Sequence, residues 1–221
     1  MDYITRQKPI KIAIEGMDGV GKTTIAKRIA NEYQMLYIEK PLEEIFNTPD
    51  LNGKANLSAV SNNIYSLNDE VVKAWFFGMG NIYSFLSHKE ESLVVDRHFA
   101  SNYFWNGSER SNSIFKNMID IIGKPDITIL LYASVETRLK RLYQRNKNDF
   151  DLSDTEKHVL GYDKMIDFLE KFEIPYVLVN TENKNQDEVY LEVCKIVDSL
   201  ENNKVKRLIR WNYFINIKGG F

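Results

Sequence analysis

Five short apolar stretches recur along the chain, separated by segments with helical periodicity. The stretches are Ile10–Glu15, Met35–Glu39, Leu93–Asp96, Ile127–Ala133 and Tyr176–Asn180. The fourth, Ile127-Thr128-Ile129-Leu130-Leu131-Tyr132, is almost continuously apolar, the pattern of a strand buried on both faces. Pro125 and Pro175 each punctuate the approach to a strand. After the first stretch, Ile25, Ile29 and Tyr33 recur at helical spacing, with Ala26 and Ala30 beside them. Strands alternating with helices predict an α/β fold: a five-stranded parallel sheet with helices on both faces. In such a sheet ligands collect at the C-terminal ends of the strands. Asp18, Lys22, Glu39, Asp96, Arg97 and the segment after Asn180 all fall there. The polar segment Asp50 to Ser61, which holds Gly53, is predicted to be a loop.

Composition narrows the class. A chain of 221 residues with 43% hydrophobic residues suits one α/β domain with a substantial core. We take residues 1–203 as that domain and 204–221 as a C-terminal extension packed on it. The extension is basic and partly apolar (Lys204-Val205-Lys206-Arg207-Leu208-Ile209-Arg210-Trp211) and is also a candidate contact for a partner or second subunit. A net charge of −2 argues against a general nucleic-acid surface. No apolar run approaches the ~20 residues that span a bilayer. Met1 to Lys8 is polar and lacks the apolar core of a signal peptide. The lone cysteine, Cys194, lies among Val189, Val193, Ile196 and Val197; it reads as a core residue and fits a reducing cytoplasm. The three histidines are not spaced as a metal set, but His98 is a candidate substrate contact.

Residues 16 to 24 carry the strongest chemical signal: Gly16-Met17-Asp18-Gly19-Val20-Gly21-Lys22-Thr23-Thr24. This is G-x-x-x-x-G-K-[ST], the P-loop. Its backbone N–H groups cradle phosphates, its lysine reaches the β- and γ-phosphates, and its first hydroxyl holds Mg²⁺. An apolar strand precedes it and an amphipathic helix follows, so a helix N-terminus completes the anion site. The chain is therefore expected to bind a nucleoside triphosphate, with Lys22 as its phosphate cation and Thr23 as a Mg²⁺ ligand.

Two further segments suit phosphoryl transfer. Leu93-Val94-Val95 ends in Asp96-Arg97. An aspartate there can hold the Mg²⁺ shell and order a nucleophile, and an arginine can fork onto a phosphate. Arg138, Arg141 and Arg145 lie at i, i+3 and i+7, on one helical face followed by a polar loop. Arginines on a mobile flap can close over phosphates and neutralise their charge.

Together these segments resemble the thymidylate kinases. The resemblance rests on Ile14 to Thr24, on Asp96-Arg97-His98-x-x-Ser101 and on Arg138-x-x-Arg141-x-x-x-Arg145, and covers about residues 8 to 200. It implies a P-loop NTPase fold with a short lid at about 138–155, ATP and Mg²⁺ as cosubstrates, a nucleotide acceptor, and homodimers built through helices. By position it implies that Asp18 lies near the acceptor sugar and Arg97 binds the acceptor phosphate. It gives Arg138 to the bound ATP, and Arg141 or Arg145 to the transferring phosphoryl, because Gly19-Val20 leaves the P-loop without an arginine. Phe77 falls where an aromatic stacks on the acceptor base; Glu39, Ser101 and Asn106 fall at other acceptor-side positions. Several departures stand out. Glu39-Lys40-Pro41 replaces the usual Arg-Glu-Pro. Asn81 stands about where a thymine-reading arginine is common, His98 replaces a tyrosine and Asn106 a glutamine.

Three other readings stay open. In a deoxynucleoside kinase, Glu39-Lys40-Pro41-Leu42-Glu43 would supply the carboxylate that takes a 5′-hydroxyl proton. In a GTPase-type switch, Asn146-Lys147-Asn148-Asp149 would match N-K-x-D and Asp50-Leu51-Asn52-Gly53 would match D-x-x-G, although neither follows an apolar strand. A nucleotide-binding protein without turnover is the third, opposed by the intact Lys22, Thr23, Asp96 and Arg97.

Overall fold

The five apolar stretches form one all-parallel sheet in a computed structural model that describes residues 8–39, 41–46, 53–146 and 155–201. The strands are β1 (Lys11–Glu15), β2 (Leu36–Glu39), β3 (Leu93–Asp96), β4 (Ile127–Tyr132) and β5 (Tyr176–Asn180). Their order across the sheet is β2-β3-β1-β4-β5. The chain steps from β1 outward to β2, back to β3, and then crosses to β4. The switch point therefore lies at β1, between its neighbours β3 and β4. Register fixes the site: Ile14 pairs with Asp96, and Glu39 with Asp96 on the other side. The ends of β1, β2 and β3 thus meet at one edge.

Helices cover both faces. They are α1 (Lys22–Glu32), α2 (Pro41–Phe46), α3 (Gly53–Ser66), α4 (Glu70–Ser87), α5 (Phe99–Asn106), α6 (Asn112–Ile122), α7 (Val135–Arg145), α8 (Thr155–Lys171) and α9 (Gln186–Glu201). On one face Ile25 and Ile29 of α1 and Val189, Val193 and Val197 of α9 pack on Ile12, Ile14, Ile127 and Ile129. On the other, Phe99, Phe104, Phe115, Met118 and Phe168 form a second core over Leu130. Cys194 is half-buried at the rim of the first core, beside Tyr33.

One element departs from expectation. The segment read as a loop up to Ser61 is helical from Gly53 to Ser66. Its sequence is polar because most of the helix is exposed, so no apolar stripe advertised it. At α4 the chain comes close to α2. A Cβ on Gly80 would lie 2.5 Å from the backbone nitrogen of Leu42, so only glycine lets Pro41 and Leu42 lie against this helix.

Lys40, the Asp50-Leu51-Asn52 stretch, the second half of the expected lid (147–154), the extension 204–221 and the first seven residues lie outside the described residues. Asn146, the first residue of the N-K-x-D match, follows helix α7 instead of a strand. Among the described residues no helix is long and apolar enough to cross a membrane.

Candidate active site

The P-loop wraps the N-terminus of α1. Gly21, the residue before the helix, has φ 95°, and Gly19 has φ 87°, both in the left-handed region open to glycine. Gly19 also lies against α7: a Cβ there would meet the Arg138 carbonyl oxygen at 2.7 Å. Gly16 is similarly pressed on the Leu131 carbonyl. The loop is thus fixed from behind by β4 and α7.

Inside the loop, Lys22 is buried. Its ammonium donates to the Met17 carbonyl at 2.9 Å and to Asp18 Oδ1 at 3.3 Å. Burial and the Arg97 charge push it down to about 8, against the pull of Asp18 and Asp96. Arg97 donates to the same Asp18 oxygen through Nη2. Burial alone would raise the Asp18 carboxyl; Lys22 and Arg97 outweigh it and hold the group well below the usual carboxylate range. Asp18 is therefore a buried anion between two cations.

Thr23 donates its hydroxyl hydrogen bond to Asp96 Oδ2 at 2.5 Å, joining the start of α1 to the end of β3. Asp96 Oδ1 is buried and has no hydrogen-bond partner among the described residues. A hydroxyl beside a carboxylate with an unused oxygen, next to a phosphate loop, is a fitting donor set for Mg²⁺, which binds through oxygen and keeps several waters.

Arg97 has φ 74°, an unusual conformation for a residue with a side chain. The kink ends β3 and starts α5 through His98, and it turns the guanidinium toward Asp18. Glu15 secures this turn. Its Oε1 accepts from the backbone N–H groups of His98 (2.9 Å), Ala100 (2.9 Å) and Ser101 (3.1 Å), and Oε2 accepts from the Ser101 hydroxyl. A wholly buried carboxylate from β1 thereby satisfies the free N–H groups that open α5. Desolvation raises the Glu15 pKa, opposed by these hydrogen bonds.

Three adjoining cavities line the strand ends. One, of about 290 Å³, is bounded by Gly19, Val20, Gly21, Thr24, Arg141, Thr181, Asn185 and Gln186. The second, about 390 Å³, lies over Lys22, Thr23 and Thr24 and adds Asp18, Arg97, Arg141, Gln144 and Arg145. The third, about 410 Å³, holds Asp18, Leu42, Glu43, Tyr65, Phe77, Asn81, Arg97, His98, Ser101, Asn102, Trp105 and Asn106. Asp18 and Arg97 belong to both the second and the third, so these two cavities meet at that pair.

Most residues expected at the site come together here, and several differ in placement or engagement. Arg138 is wholly buried: its Nε donates to the Ala133 carbonyl at 3.3 Å and its guanidinium faces the Tyr162 ring. It braces the P-loop from behind and lines none of the three cavities. Glu39 pairs with Lys27 at 3.2 Å and lies outside the third cavity, whereas Glu43 lines it. Ser101 lines the cavity, but its hydroxyl is engaged by Glu15. Arg141 is anchored rather than loose, donating to Thr181 Oγ1 at 3.0 Å and to the Thr181 carbonyl at 2.7 Å. Arg145 lines the phosphate cavity, and so does Gln144 beside it.

Sequence reasoning missed Glu15, Asn102 and Trp105, and it reached Thr181 and Gln186 only as part of the segment after Asn180. Glu15 had one signal, a charged residue closing an apolar strand. Asn102 and Trp105 stand in ordinary helix sequence, and only the fold brings them to the cavity.

Comparison with known proteins shows the family. A family model described as thymidylate kinase matches residues 14–191. A probable thymidylate kinase of Archaeoglobus fulgidus is 32% identical over 202 residues, spanning 87% of this chain and 97% of that protein. The solved thymidylate kinase of Candida albicans superposes with a TM-score of 0.63 at 16% identity, covering 88% of this chain and 93% of its own. A deoxyadenosine kinase from M. mycoides, solved with bound dATP, gives 0.59 at 16% identity, covering 86% of this chain and all of the other. At such identities these two likenesses speak for the fold alone.

Proposed function

The chain belongs to the thymidylate kinase family and is a nucleotide kinase, and from that premise we propose that it transfers the γ-phosphoryl of ATP, with Mg²⁺, to the 5′-phosphate of dTMP or a related nucleotide. One observation carries the reading: the acceptor and phosphate cavities share Asp18 and Arg97. An acceptor phosphate held by Arg97 faces the γ-phosphoryl held by Lys22. An acceptor oxygen then attacks phosphorus as the bond to the β-phosphate oxygen breaks and ADP leaves.

Each residue has a physical task in this reading. The P-loop N–H groups and Lys22 neutralise the triphosphate. Thr23 and Asp96 hold Mg²⁺, which supplies charge compensation when bound. Arg97 binds the acceptor phosphate and Asp18 orients Arg97. Phe77, held by Tyr65 at 5.2 Å between ring centroids, stacks on the base. The first cavity takes the ATP base, with Thr181, Asn185 and Gln186 as its polar groups. Arg141 and Arg145 supply the lid's positive charge.

The test is ATP- and Mg²⁺-dependent formation of a nucleoside diphosphate from a monophosphate, with Lys22→Ala lowering kcat at least ~10²-fold. Wild-type turnover in a folded Lys22→Ala variant overturns the reading. A nucleoside acceptor is the second reading, supported by Glu43 in the acceptor cavity; activity on nucleosides but not monophosphates would decide for it.

A homodimer fits one face of α4. Val72, Trp75, Met79, Tyr83 and Leu86 follow one another at three- and four-residue steps, all at least 37% exposed. Such a stripe suits self-pairing with a second copy about a two-fold axis. Sedimentation of the wild type and of Trp75→Glu/Met79→Glu tests it; a monomeric wild type refutes it. The lone thiol and the nucleotide substrates support a cytoplasmic location, which cell fractionation checks.

A further inference from the structure

The acceptor cavity contains an unusual set of buried polar atoms. Asn81 Nδ2, His98 Nε2, Asn102 Nδ2 and Asn106 Oδ1 have no hydrogen-bond partner among the described residues, and all four residues line that one cavity. Their exposures are 4%, 2%, 7% and 5%. Buried polar atoms left unpaired are costly and rare, so a group of four around one cavity calls for a ligand that completes them. Their position identifies which part of the ligand. Arg97 lies two residues before α5 and Asn106 ends it; seven helical steps of about 1.5 Å carry Asn106 ~10 Å along the helix from Phe99, a span that suits a nucleotide reaching from its phosphate to its base.

Asn102 and Asn106 are one turn apart on α5 and bonded to each other: Asn106 Nδ2 donates to Asn102 Oδ1 at 3.1 Å. In that arrangement the pair offers the cavity a donor from Asn102 and an acceptor from Asn106. If both amides rotate by half a turn, the bond between them re-forms with Asn102 donating. The pair then offers an acceptor from Asn102 and a donor from Asn106. The cost of exchange is small, because each amide carries both functions and the mutual hydrogen bond survives. A charged side chain cannot exchange in this way: an arginine only donates and a carboxylate only accepts.

The two arrangements complement two kinds of pyrimidine. A 4-oxo base (thymine or uracil) presents an acceptor at O4 and a donor at N3. A 4-amino base (cytosine) presents a donor at N4 and an acceptor at N3. The two edges are each other's reverse. We propose that the Asn102–Asn106 pair is a reversible reading edge that lets this kinase accept 4-amino as well as 4-oxo pyrimidine deoxynucleoside monophosphates. This inference rests on the monophosphate kinase reading above. Neutral His98, its ring pushed down to about 3 by burial, adds no charge that would fix the polarity.

The experiment compares kcat/KM for dTMP, dUMP and dCMP in the wild type, Asn102→Asp and Asn106→Asp. The wild type should use the 4-oxo and 4-amino acceptors within ~10-fold of each other, where a site built for one hydrogen-bond polarity discriminates far more strongly. In Asn102→Asp the carboxylate accepts from Asn106 Nδ2, which turns Asn106 Oδ1 toward N3, so each base meets one matched and one opposed atom. In Asn106→Asp the Asn102 amide donates to the carboxylate and turns its oxygen toward position 4, with the same result for both bases. Each variant should therefore lose at least ~10-fold in kcat/KM, per ATP-binding site, for dTMP and for dCMP alike. Normalising to ATP-binding sites removes any loss of folded protein. Wild-type preference above ~10³ for dTMP over dCMP, or a variant that loses one acceptor and keeps the other, overturns the inference and leaves the kinase reading intact. Absence of turnover on any nucleoside monophosphate overturns the kinase reading, and the inference with it.

Discussion

Arg97 reaches back from the end of β3 to Asp18 in the P-loop and donates to the same carboxylate oxygen that accepts from Lys22. One buried anion thus aligns the cation of the phosphate cavity with the cation shared by the acceptor cavity. The fold provides this because β1 and β3 are neighbours in register, with Ile14 opposite Asp96.

Arg97→Ala should weaken acceptor binding while ATP affinity stays within a few-fold. Asp18 keeps Lys22 as a partner in that variant, so the P-loop retains its charge balance. Titration of ATP and acceptor separately by calorimetry checks this. Loss of ATP binding instead would assign Arg97 to the triphosphate.

The lid arginines should separate kinetically. Arg145→Ala should lower kcat more than it raises KM, as expected for a contact made mainly in the transition state. Arg141 is tied to Thr181 by two hydrogen bonds, so Arg141→Ala should also raise KM for ATP. Gln144→Ala should cost less kcat than either arginine variant, because the amide lines the same cavity but brings no charge to the phosphoryl. Steady-state kinetics on the three variants decides; wild-type kcat in both arginine variants would move the catalytic charge elsewhere.

Glu15→Ala strands three backbone donors and the Ser101 hydroxyl in a buried site. At ~1–3 kcal/mol per unsatisfied group, with incomplete additivity, the loss should be about 3 kcal/mol or more. In a chain of this size that corresponds to a Tm lowered by roughly 6–12 °C. Differential scanning calorimetry reads it, and an unchanged Tm would deny Glu15 its role in starting α5.

His98 links stability to acid. In the folded protein burial holds its pKa at about 3, against 6.5 for an ordinary histidine. Between those values the unfolded chain binds a proton that the folded chain refuses, so stability falls as pH drops from about 6.5 toward 3. Above 6.5 the group contributes no slope. Denaturant melts across this range should be steeper in pH for the wild type than for His98→Asn; equal slopes would refute the linkage.

The sheet, its parallel order and the P-loop were legible because strand burial and phosphate cradling impose local patterns. Ile127 to Tyr132 reads as a doubly buried strand, and it is one, with only Tyr132 less than fully buried. Helix α3 was not legible, since an exposed helix needs no apolar stripe. Nor was the direction of Arg138, which shares a helix with Arg141 but turns inward: spacing groups residues on a face without telling which face meets the sheet. The acceptor edge was legible in part: the resemblance pointed to Asn81 and Asn106, but Asn102 gave no signal until the fold set it beside them.

Lys22 carries a consequence for proton traffic. With its pKa near 8, the ammonium of the free enzyme is partly discharged in mildly alkaline solution. An arriving triphosphate restores the preference for the charged form, so capturing the nucleotide and capturing a proton become one event. Binding heats measured above pH 8 should then vary with the ionisation enthalpy of the buffer, and should lose that dependence in Lys22→Arg, whose guanidinium stays charged throughout. The enzyme's hold on ATP would slacken as the medium turns alkaline, making the loop a gauge of proton supply as well as a cradle for phosphate.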